Sequence, residues 1–267
     1  MRTFAHIVNP VVVQPSSDLF FAQPVTFETM RAARDFAKGK VAVQLLTTQY
    51  AEDRSLVPDD FIMTPDLERS VLDVAPFQRS RKLPLIGDIV NRLYEASPDA
   101  DYLVFTNNDI ALMPYFYVAV DALIDSGYDA LVINRCVVTA NYRHLAEIPL
   151  MYAATGRIHE GHDCFVFRRD AFPQFRLGDV CVGIPYIGRV MVWNLFCFGS
   201  RYGEFKDMHL TFHLGDPPMK WQGGGQEDYV AYNKSAAGRV MRELEGTCGA
   251  ETIKAMISAY PHEFNYG

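Results

Sequence analysis

The alternation of strand-like and helix-like segments in the first half of the chain constrains its fold more than any other feature. Residues 4–13 are rich in β-branched side chains, which favour a strand, and Asn9-Pro10 is expected to bend or end it. Residues 20–37 have apolar side chains at helical spacing, and a Lys-Gly-Lys stop precedes a second strand at 41–47. A strand, a helix and a strand in this order predict a parallel sheet.

The rest of the chain continues the pattern less regularly. Residues 50–84 are rich in turn formers and charges, which predicts a long excursion with little regular structure. Further helices are predicted at 85–96, 115–126 and 226–245, further strands at 102–106, 130–134, 164–168 and 209–213, and a Gly/Pro-punctuated apolar stretch at 180–198. No linker divides the sequence. We therefore expect a single α/β domain over residues 1–267, with a Rossmann-like, mostly parallel sheet flanked by helices.

Charge and composition narrow the class of partner. The net charge is −7, so the basic footprint of a nucleic-acid-binding protein is missing. The short basic run at 79–82 suits a phosphate, an anionic membrane surface or a plain solvated loop. The five cysteines are widely spaced in apolar surroundings, which argues against a disulfide framework and a zinc site. With no leader-like N-terminus and no long apolar run, the expected location is the cytoplasm, without a transmembrane segment.

Three polar residues, Asn107, Asn108 and Asp109, follow the apolar strand predicted at 102–106. Ligands of open α/β sheets bind in the crevice at the carboxyl ends of the strands. A hard divalent cation that holds a diphosphate takes oxygen ligands, including one or two carboxylates. Asp109 can supply a carboxylate, while Asn107 and Asn108 can supply amide oxygens or bind a ribose. The alternative is that the three residues only end the strand and form a turn.

The segment around these residues resembles the GT-A glycosyltransferases, in which a similar strand ends in an Asp-x-Asp motif. Asn107 stands in place of the first aspartate, which keeps an oxygen ligand but removes one charge. The resemblance implies the GT-A fold and a divalent ion, Mn²⁺ or Mg²⁺, at Asp109. It also implies a nucleoside-diphosphate sugar as donor, bound with the help of Asn107 and Asn108. Asn9, from its position after the first strand, is expected to contact the base or ribose.

Residues 209–221 are similar to the glycogenin-type pattern of a histidine and glycine followed by lysine and tryptophan. By that resemblance His213 completes the metal site and Lys220 meets the diphosphate, while a histidine satisfied at a strand end is the alternative. Imidazole is a suitable ligand for manganese. His209 lies on the same face of the predicted strand as His213 by period-two alternation, and is a weaker candidate.

Residues 161–172 resemble a Gly-x-Asp-x-Phe-x-Phe-x-Arg segment of bacterial glycosyltransferase-like proteins, whose aspartate lies in the sugar or acceptor pocket. The resemblance implies that Asp163 binds sugar hydroxyls or acts as a base on the acceptor hydroxyl; a turn residue before a strand is the alternative. Residues 182–188 resemble a Gly-x-Pro-x-Trp-Asp element of the same proteins. Gly188 stands where that element has its aspartate, so this carboxylate is missing.

Residues 221–229 are similar to the Trp-Gly-Gly-Glu-Asp segment of inverting galactosyltransferases, in which the aspartate deprotonates the acceptor. The resemblance implies that Asp228 is a catalytic base, whereas a plain helix start would also favour carboxylates at Glu227 and Asp228 through the helix dipole. The glycines at 223–225 suit a loop that closes over the donor, and they match no standard phosphate-binding pattern.

Together these resemblances imply a metal-assisted, hexosyltransferase-like enzyme that moves a sugar from a nucleoside diphosphate to an acceptor hydroxyl on a glycan, a lipid-linked molecule or a small molecule. Two alternatives stay open. A nucleotidyltransferase shares the broad fold, although the residues after the first strand do not form its Gly-rich loop. A non-catalytic nucleotide- or carbohydrate-binding protein would be consistent with Asn107 and Gly188. The sequence leaves the donor base, the acceptor, the stereochemistry and the oligomeric state open.

Overall fold

The fold was analysed in a computed structural model, which describes residues 1–215 and 225–259. The strands are β1 (Thr3–Val8), β2 (Ala42–Thr47), β3 (Ile62–Met63), β4 (Tyr102–Thr106), β5 (Ala111–Leu112), β6 (Ala130–Val138), β7 (Arg157–Arg168), β8 (Tyr202–Phe205) and β9 (Thr211–Leu214). The helices are α1 (Leu19–Ala37), α2 (Ile86–Ala96), α3 (Phe116–Asp125), α4 (Ile148–Ala153), α5 (Ile187–Phe198), α6 (Glu227–Cys248) and α7 (Ala250–Ala259).

Within the described residues, the strands form one nine-stranded sheet in the order β3-β2-β1-β4-β7-β6-β9-β5, with β8 also paired to β6. Strand β1 lies between β2 and β4 and is parallel to both. Strand β7 is antiparallel to its two neighbours, β4 and β6, and β5 is antiparallel to β9. The prediction of a mostly parallel α/β sheet flanked by helices is confirmed, with antiparallel β7 near its centre.

Both faces of the sheet are covered by helices, as its apolar strands require. Alternate residues of β4 point to opposite faces: Leu103 belongs to the core beneath α2, α5 and α6, and Val104 to the core beneath α1 and α3. Helix α2 buries one apolar stripe at helical spacing, made of Ile86, Ile89, Val90 and Leu93. None of the helices in the described ranges has the length and apolar character needed to cross a membrane.

The structure departs from the sequence prediction mainly in the second half. The strands predicted at 130–134 and 164–168 are longer, because β6 and β7 continue as a pair to Val137 and Arg157. The apolar stretch at 180–198 contains helix α5, which starts after Tyr186, a residue with φ of 87°. His209 has φ of 46° and lies outside β9, so its predicted place on a face of that strand was wrong. The excursion at 50–84 contains two short 3-10 turns and β3.

Candidate functional site

The polar turn formed by Asn107, Asn108 and Asp109 lies at the carboxyl end of β4, next to the residues that follow β1. Asn108 Nδ2 donates hydrogen bonds to Asn9 O at 2.9 Å and to Gln23 Oε1 at 3.0 Å. The amide of Asn108 therefore connects this turn to the β1–α1 loop and to the first helix. We call the space bordered by this turn and the carboxyl ends of β1 and β2 the crevice.

The β1–α1 loop is held from two sides. Gln23 of α1 accepts a hydrogen bond from Val11 N at 2.8 Å and donates one to Val11 O at 2.9 Å. Asp53, which follows β2, accepts a hydrogen bond from Val12 N at 2.7 Å. Asn9 Nδ2 donates to Thr48 O at 2.6 Å, which joins the ends of β1 and β2. These side chains fix the loop that contains Asn9, the residue predicted to contact the base or ribose of a nucleotide.

Asp109 and His213 are 104 residues apart in sequence and meet at the end of the sheet. His213 Nε2 lies 3.3 Å from Asp109 Oδ2, and His213 Nδ1 lies 2.7 Å from Gly215 O. The carbonyl of Gly215 can only accept, so Nδ1 carries a proton, and Nε2 is the nitrogen that faces Asp109. The side chain of His213 is 7% exposed and that of Asp109 is 28% exposed. The structure thus joins the two residues that the sequence assigned to a metal.

The electrostatics of this pair favour the charged forms. Burial opposes the ionised carboxylate of Asp109, but the hydrogen bond and the charge of His213 outweigh it, so the pKa of Asp109 is lowered. Burial and the charge of Arg135 lower the pKa of His213, whereas Asp109 and the hydrogen bond to Gly215 together raise it by more, so the net pKa of His213 is raised. Asp109 and His213 would hold a divalent ion only with the imidazole neutral, so ion binding would release the proton from His213.

The donor set of the pair fits a divalent ion that is shared with a diphosphate. Mg²⁺ in such sites takes one or two protein carboxylates and completes its shell with phosphate oxygens and water, and imidazole also suits manganese. The hydrogen bond from Nδ1 to Gly215 is the kind of outer contact that orients a ligating histidine. In the described ranges, however, no group of three or more His, Cys, Asp or Glu side chains is placed to hold an ion.

Asp163 lies beside Asn107, the first residue of the polar turn. Asn107 Nδ2 donates to Asp163 Oδ1 at 3.1 Å, and Arg135 Nη1 forms a short ion pair with Asp163 Oδ2. Arg135 and Asp163 have side chains that are 12% and 11% exposed. Both oxygens of the Asp163 carboxylate therefore already accept a hydrogen bond in the free protein.

A break in the β6–β7 register brings Arg135 to this place. The pairing shifts between Ile133 and Asn134 and again before Cys136, and such a bulge changes the direction of the side chains that follow it. Arg135 Nη2 also lies 3.4 Å from His159 Nε2. Sequence reasoning missed Arg135 because it sits inside an apolar strand pattern; a charged residue in an otherwise buried run was the only signal.

A second buried polar pair lies next to Asp163 and was also missed. His162 Nε2 lies 3.2 Å from Glu204 Oε1 of β8, and both side chains are less than a tenth exposed, at 8% and 6%. Burial raises the pKa of Glu204, but His162 and Lys206 outweigh this effect, so the pKa is lowered. The carboxylate of β8 is thus buried against the residue that precedes Asp163.

Gly188, which stands where the resembling proteins have an aspartate, packs against the residue that precedes Asp163. A Cβ atom at Gly188 would lie 3.1 Å from His162 Cβ and 3.2 Å from His162 O. The N-terminal turn of α5 therefore approaches β7 more closely than a side chain allows without movement. A side chain at this position would therefore require His162 to move by a few tenths of an ångström.

The next predicted residues are Asp228 and Lys220. Asp228, in the first turn of α6, accepts a hydrogen bond from Gln78 N at 2.8 Å. It thus helps to hold the segment 77–81, whose Phe77 stacks on Tyr229 at 3.9 Å between ring centroids. Lys220 lies outside the described residues.

The chain was compared with known proteins by sequence and by structure. No protein-family model matches the sequence, and no curated protein does. The structure is similar to that of S. aureus TarS residues 1–349 in complex with UDP-GlcNAc, with a TM-score of 0.51, 9% identity, and coverage of 92% of this chain and 73% of that chain.

Two further structures are similar at lower scores. Drosophila β-1,4-galactosyltransferase 7 with manganese, UDP-Gal and xylobiose gives a TM-score of 0.43 at 13% identity, covering 81% of this chain and 72% of that one. A Bacillus anthracis glucose-1-phosphate thymidylyltransferase with sucrose gives 0.45 at 9% identity, covering 86% and 95%. The similarity to TarS and the sheet order described above show the fold. The chain has the fold of the GT-A-type glycosyltransferases.

Proposed function

We propose that the chain is a glycosyltransferase that moves a sugar from a nucleoside-diphosphate sugar to an acceptor hydroxyl, with the help of Mn²⁺ or Mg²⁺. The observation that carries this proposal is the contact between Asp109 and His213 at the edge of the crevice, 3.3 Å apart. The two residues come from distant parts of the chain, and Gly215 holds the imidazole in the orientation that metal ligation needs. The GT-A fold is compatible with this reaction but does not by itself imply it, so the proposal depends on the residues of the site.

The residues around the crevice would divide the work of binding the donor. Asp109 and His213 would hold the divalent ion, which stabilises the negative charge that develops on the leaving diphosphate. Asn9 and Asn108 shape the loop that would take the base and ribose. Lys220, outside the described residues, is proposed to meet the diphosphate on the strength of the sequence resemblance.

Two residues, Asp163 and Asp228, are candidates for the base that deprotonates the acceptor hydroxyl. Asp163 was predicted to bind sugar hydroxyls or to act as a base, and both of its oxygens are engaged by Asn107 and Arg135. Asp228 keeps the role of candidate base on the acceptor hydroxyl, although its carboxylate accepts a hydrogen bond from Gln78 N. A drop in turnover with unchanged donor binding in Asp228→Asn would support that role, and unchanged turnover would exclude it.

The test is a thermal-shift panel of UDP, GDP, dTDP, CDP and ADP, each with manganese and with EDTA. A ligand at about 100 times its Kd stabilises the folded state by about 2.7 kcal/mol, which corresponds to a rise in Tm of about 5 to 10 °C for a chain of this size. One nucleotide should produce a metal-dependent rise, and Asp109→Ala and His213→Ala should each abolish it. Asp170→Asn, in an exposed ion pair with Arg168, is the matched control and should keep it.

The alternatives give different results in the same preparation. A non-catalytic binding protein would show the nucleotide-dependent rise without any release of nucleoside diphosphate from a donor sugar. A nucleotidyltransferase would release pyrophosphate from a nucleoside triphosphate and a sugar phosphate. If no nucleotide raises the Tm at saturating concentration, the glycosyltransferase proposal is wrong.

A further inference from the structure

The amide of Asn107 has only one orientation that is compatible with its neighbour. Its Nδ2 atom lies 3.1 Å from Asp163 Oδ1, and an ionised carboxylate can only accept hydrogen bonds. The amide nitrogen must therefore face Asp163, and the carbonyl oxygen of the same group must face away from it. The backbone adds a weaker contact, from Asn107 N to Asp163 O at 3.4 Å.

Arg135 makes this arrangement possible. A carboxylate that is 11% exposed is costly to bury unless its charge is compensated, and Arg135 supplies the compensating charge through Asp163 Oδ2. Arg135 Nε is buried and has no hydrogen-bond partner among the described residues. The contacts of its terminal nitrogens go to Asp163 and His159.

We propose that Arg135 and Asp163 are positioning residues, which act through Asn107 by fixing its amide with the carbonyl oxygen presented to the donor nucleotide. The proposal rests on the proposed function, because it names the residues that prepare that same site. It also accounts for asparagine at position 107: an aspartate there would place two carboxylates 3.1 Å apart.

The first arm of the test needs no ligand. Asn107→Asp should raise the equilibrium constant for unfolding at pH 8 at least tenfold, because the two carboxylates repel each other. Asp163→Asn should also raise it, because one amide oxygen would replace the two carboxylate oxygens that accept from Asn107 and Arg135, and Arg135 would lose its compensating charge. The double variant N107D/D163N restores one amide and one carboxylate. Its equilibrium constant for unfolding should therefore rise by clearly less than the product of the factors by which the two single substitutions raise it. Urea denaturation measures all four proteins, and purely multiplicative effects would overturn the proposal.

The second arm measures binding of the nucleoside diphosphate that stabilises the wild-type protein best, with manganese, by calorimetry. Each single variant should weaken binding at least tenfold. The double variant should recover most of that loss, because the carboxylate introduced at position 107 again presents one oxygen, in the place of the native amide oxygen. Recovery of stability without recovery of binding would show that Asp163 contacts the ligand itself, which would overturn the positioning role.

A third comparison separates the charge of Arg135 from its bulk. Arg135→Lys should keep more of the nucleotide binding than Arg135→Met, which removes the charge and keeps an apolar chain of similar length. Arg168→Met, which removes the guanidinium of an exposed ion pair, is the matched control and should bind as the wild-type protein does. Equal binding by Arg135→Met and the wild-type protein would overturn the proposal. If no nucleotide binds the wild-type protein, the proposed function fails, and the stability measurements alone decide whether the pair orients Asn107.

Discussion

A buried histidine beneath the crevice makes the stability of the fold dependent on pH. His6 of β1 is fully buried, with Nδ1 2.8 Å from the hydroxyl of Tyr117 and Nε2 2.9 Å from that of Thr106, the residue before the polar turn. Burial lowers its pKa from 6.5 to about 3, because the imidazolium would lose its hydration.

The sign of the effect follows from the number of protons bound in each state. Between these two pKa values the unfolded chain binds a proton at His6 and the folded chain does not, so stability falls as the pH falls below 6.5. In this range, each pH unit by which the solution is acidified lowers the free energy of unfolding by about 1.36 kcal/mol. At pH 5 the loss relative to pH 8 is therefore about 2 kcal/mol from this residue alone.

The assay is urea denaturation of the wild-type protein and of His6→Gln at pH 8 and pH 5. Other groups titrate in both proteins, so the difference in free energy of unfolding between the two proteins isolates His6. This difference, wild type minus His6→Gln, should be about 2 kcal/mol smaller at pH 5 than at pH 8. NMR of the folded protein should show that the His6 ring does not titrate between pH 8 and pH 5. A constant difference between the two proteins, or a His6 titration midpoint above pH 5, would refute the reasoning.

Two further predictions concern the packing around the site. Gly188→Asp should lower the Tm and weaken nucleotide binding, because a Cβ atom there lies 3.1 Å from His162 Cβ; Gly246→Ala, with nothing within 4 Å, should not lower the Tm. The two proteins are compared by thermal shift, and an unchanged Tm in Gly188→Asp would contradict the close approach. Asn233→Ala should cost about 1 to 3 kcal/mol in urea denaturation, because the buried amide of Asn233 binds both the N–H and the carbonyl of Cys181. A loss below about 0.5 kcal/mol would show that water replaces these contacts.

The parts of the fold that follow from local pattern could be predicted from the sequence. The strand at 102–106 and its polar ending were found because a run of buried residues followed by turn formers is a local signal. Helix α2 was found within one residue for the same reason, through its apolar stripe. The pair Asp109 and His213 was found through resemblance to known motifs and is brought together by the sheet.

The parts that depend on pairing between distant strands could not be predicted in this way. The N-terminal half of β7 carries several polar residues, and it is a strand because β6 pairs with it. Arg135 enters the site through a register shift in that pairing, which no spacing in the sequence records. The same holds for Glu204, which is buried through the pairing of β8 with β6 and through His162.

The double hydrogen bond between Gln23 and the backbone of Val11 has a consequence for affinity. Ordering one residue of a loop costs about 1 to 2 kcal/mol of conformational free energy. Here the side chain of a helix residue has already fixed that loop, with Asp53 holding the next residue. Under the proposed function, a nucleotide bound against this loop would contact backbone that is already ordered, so its binding free energy would not be reduced by the entropy of ordering the loop.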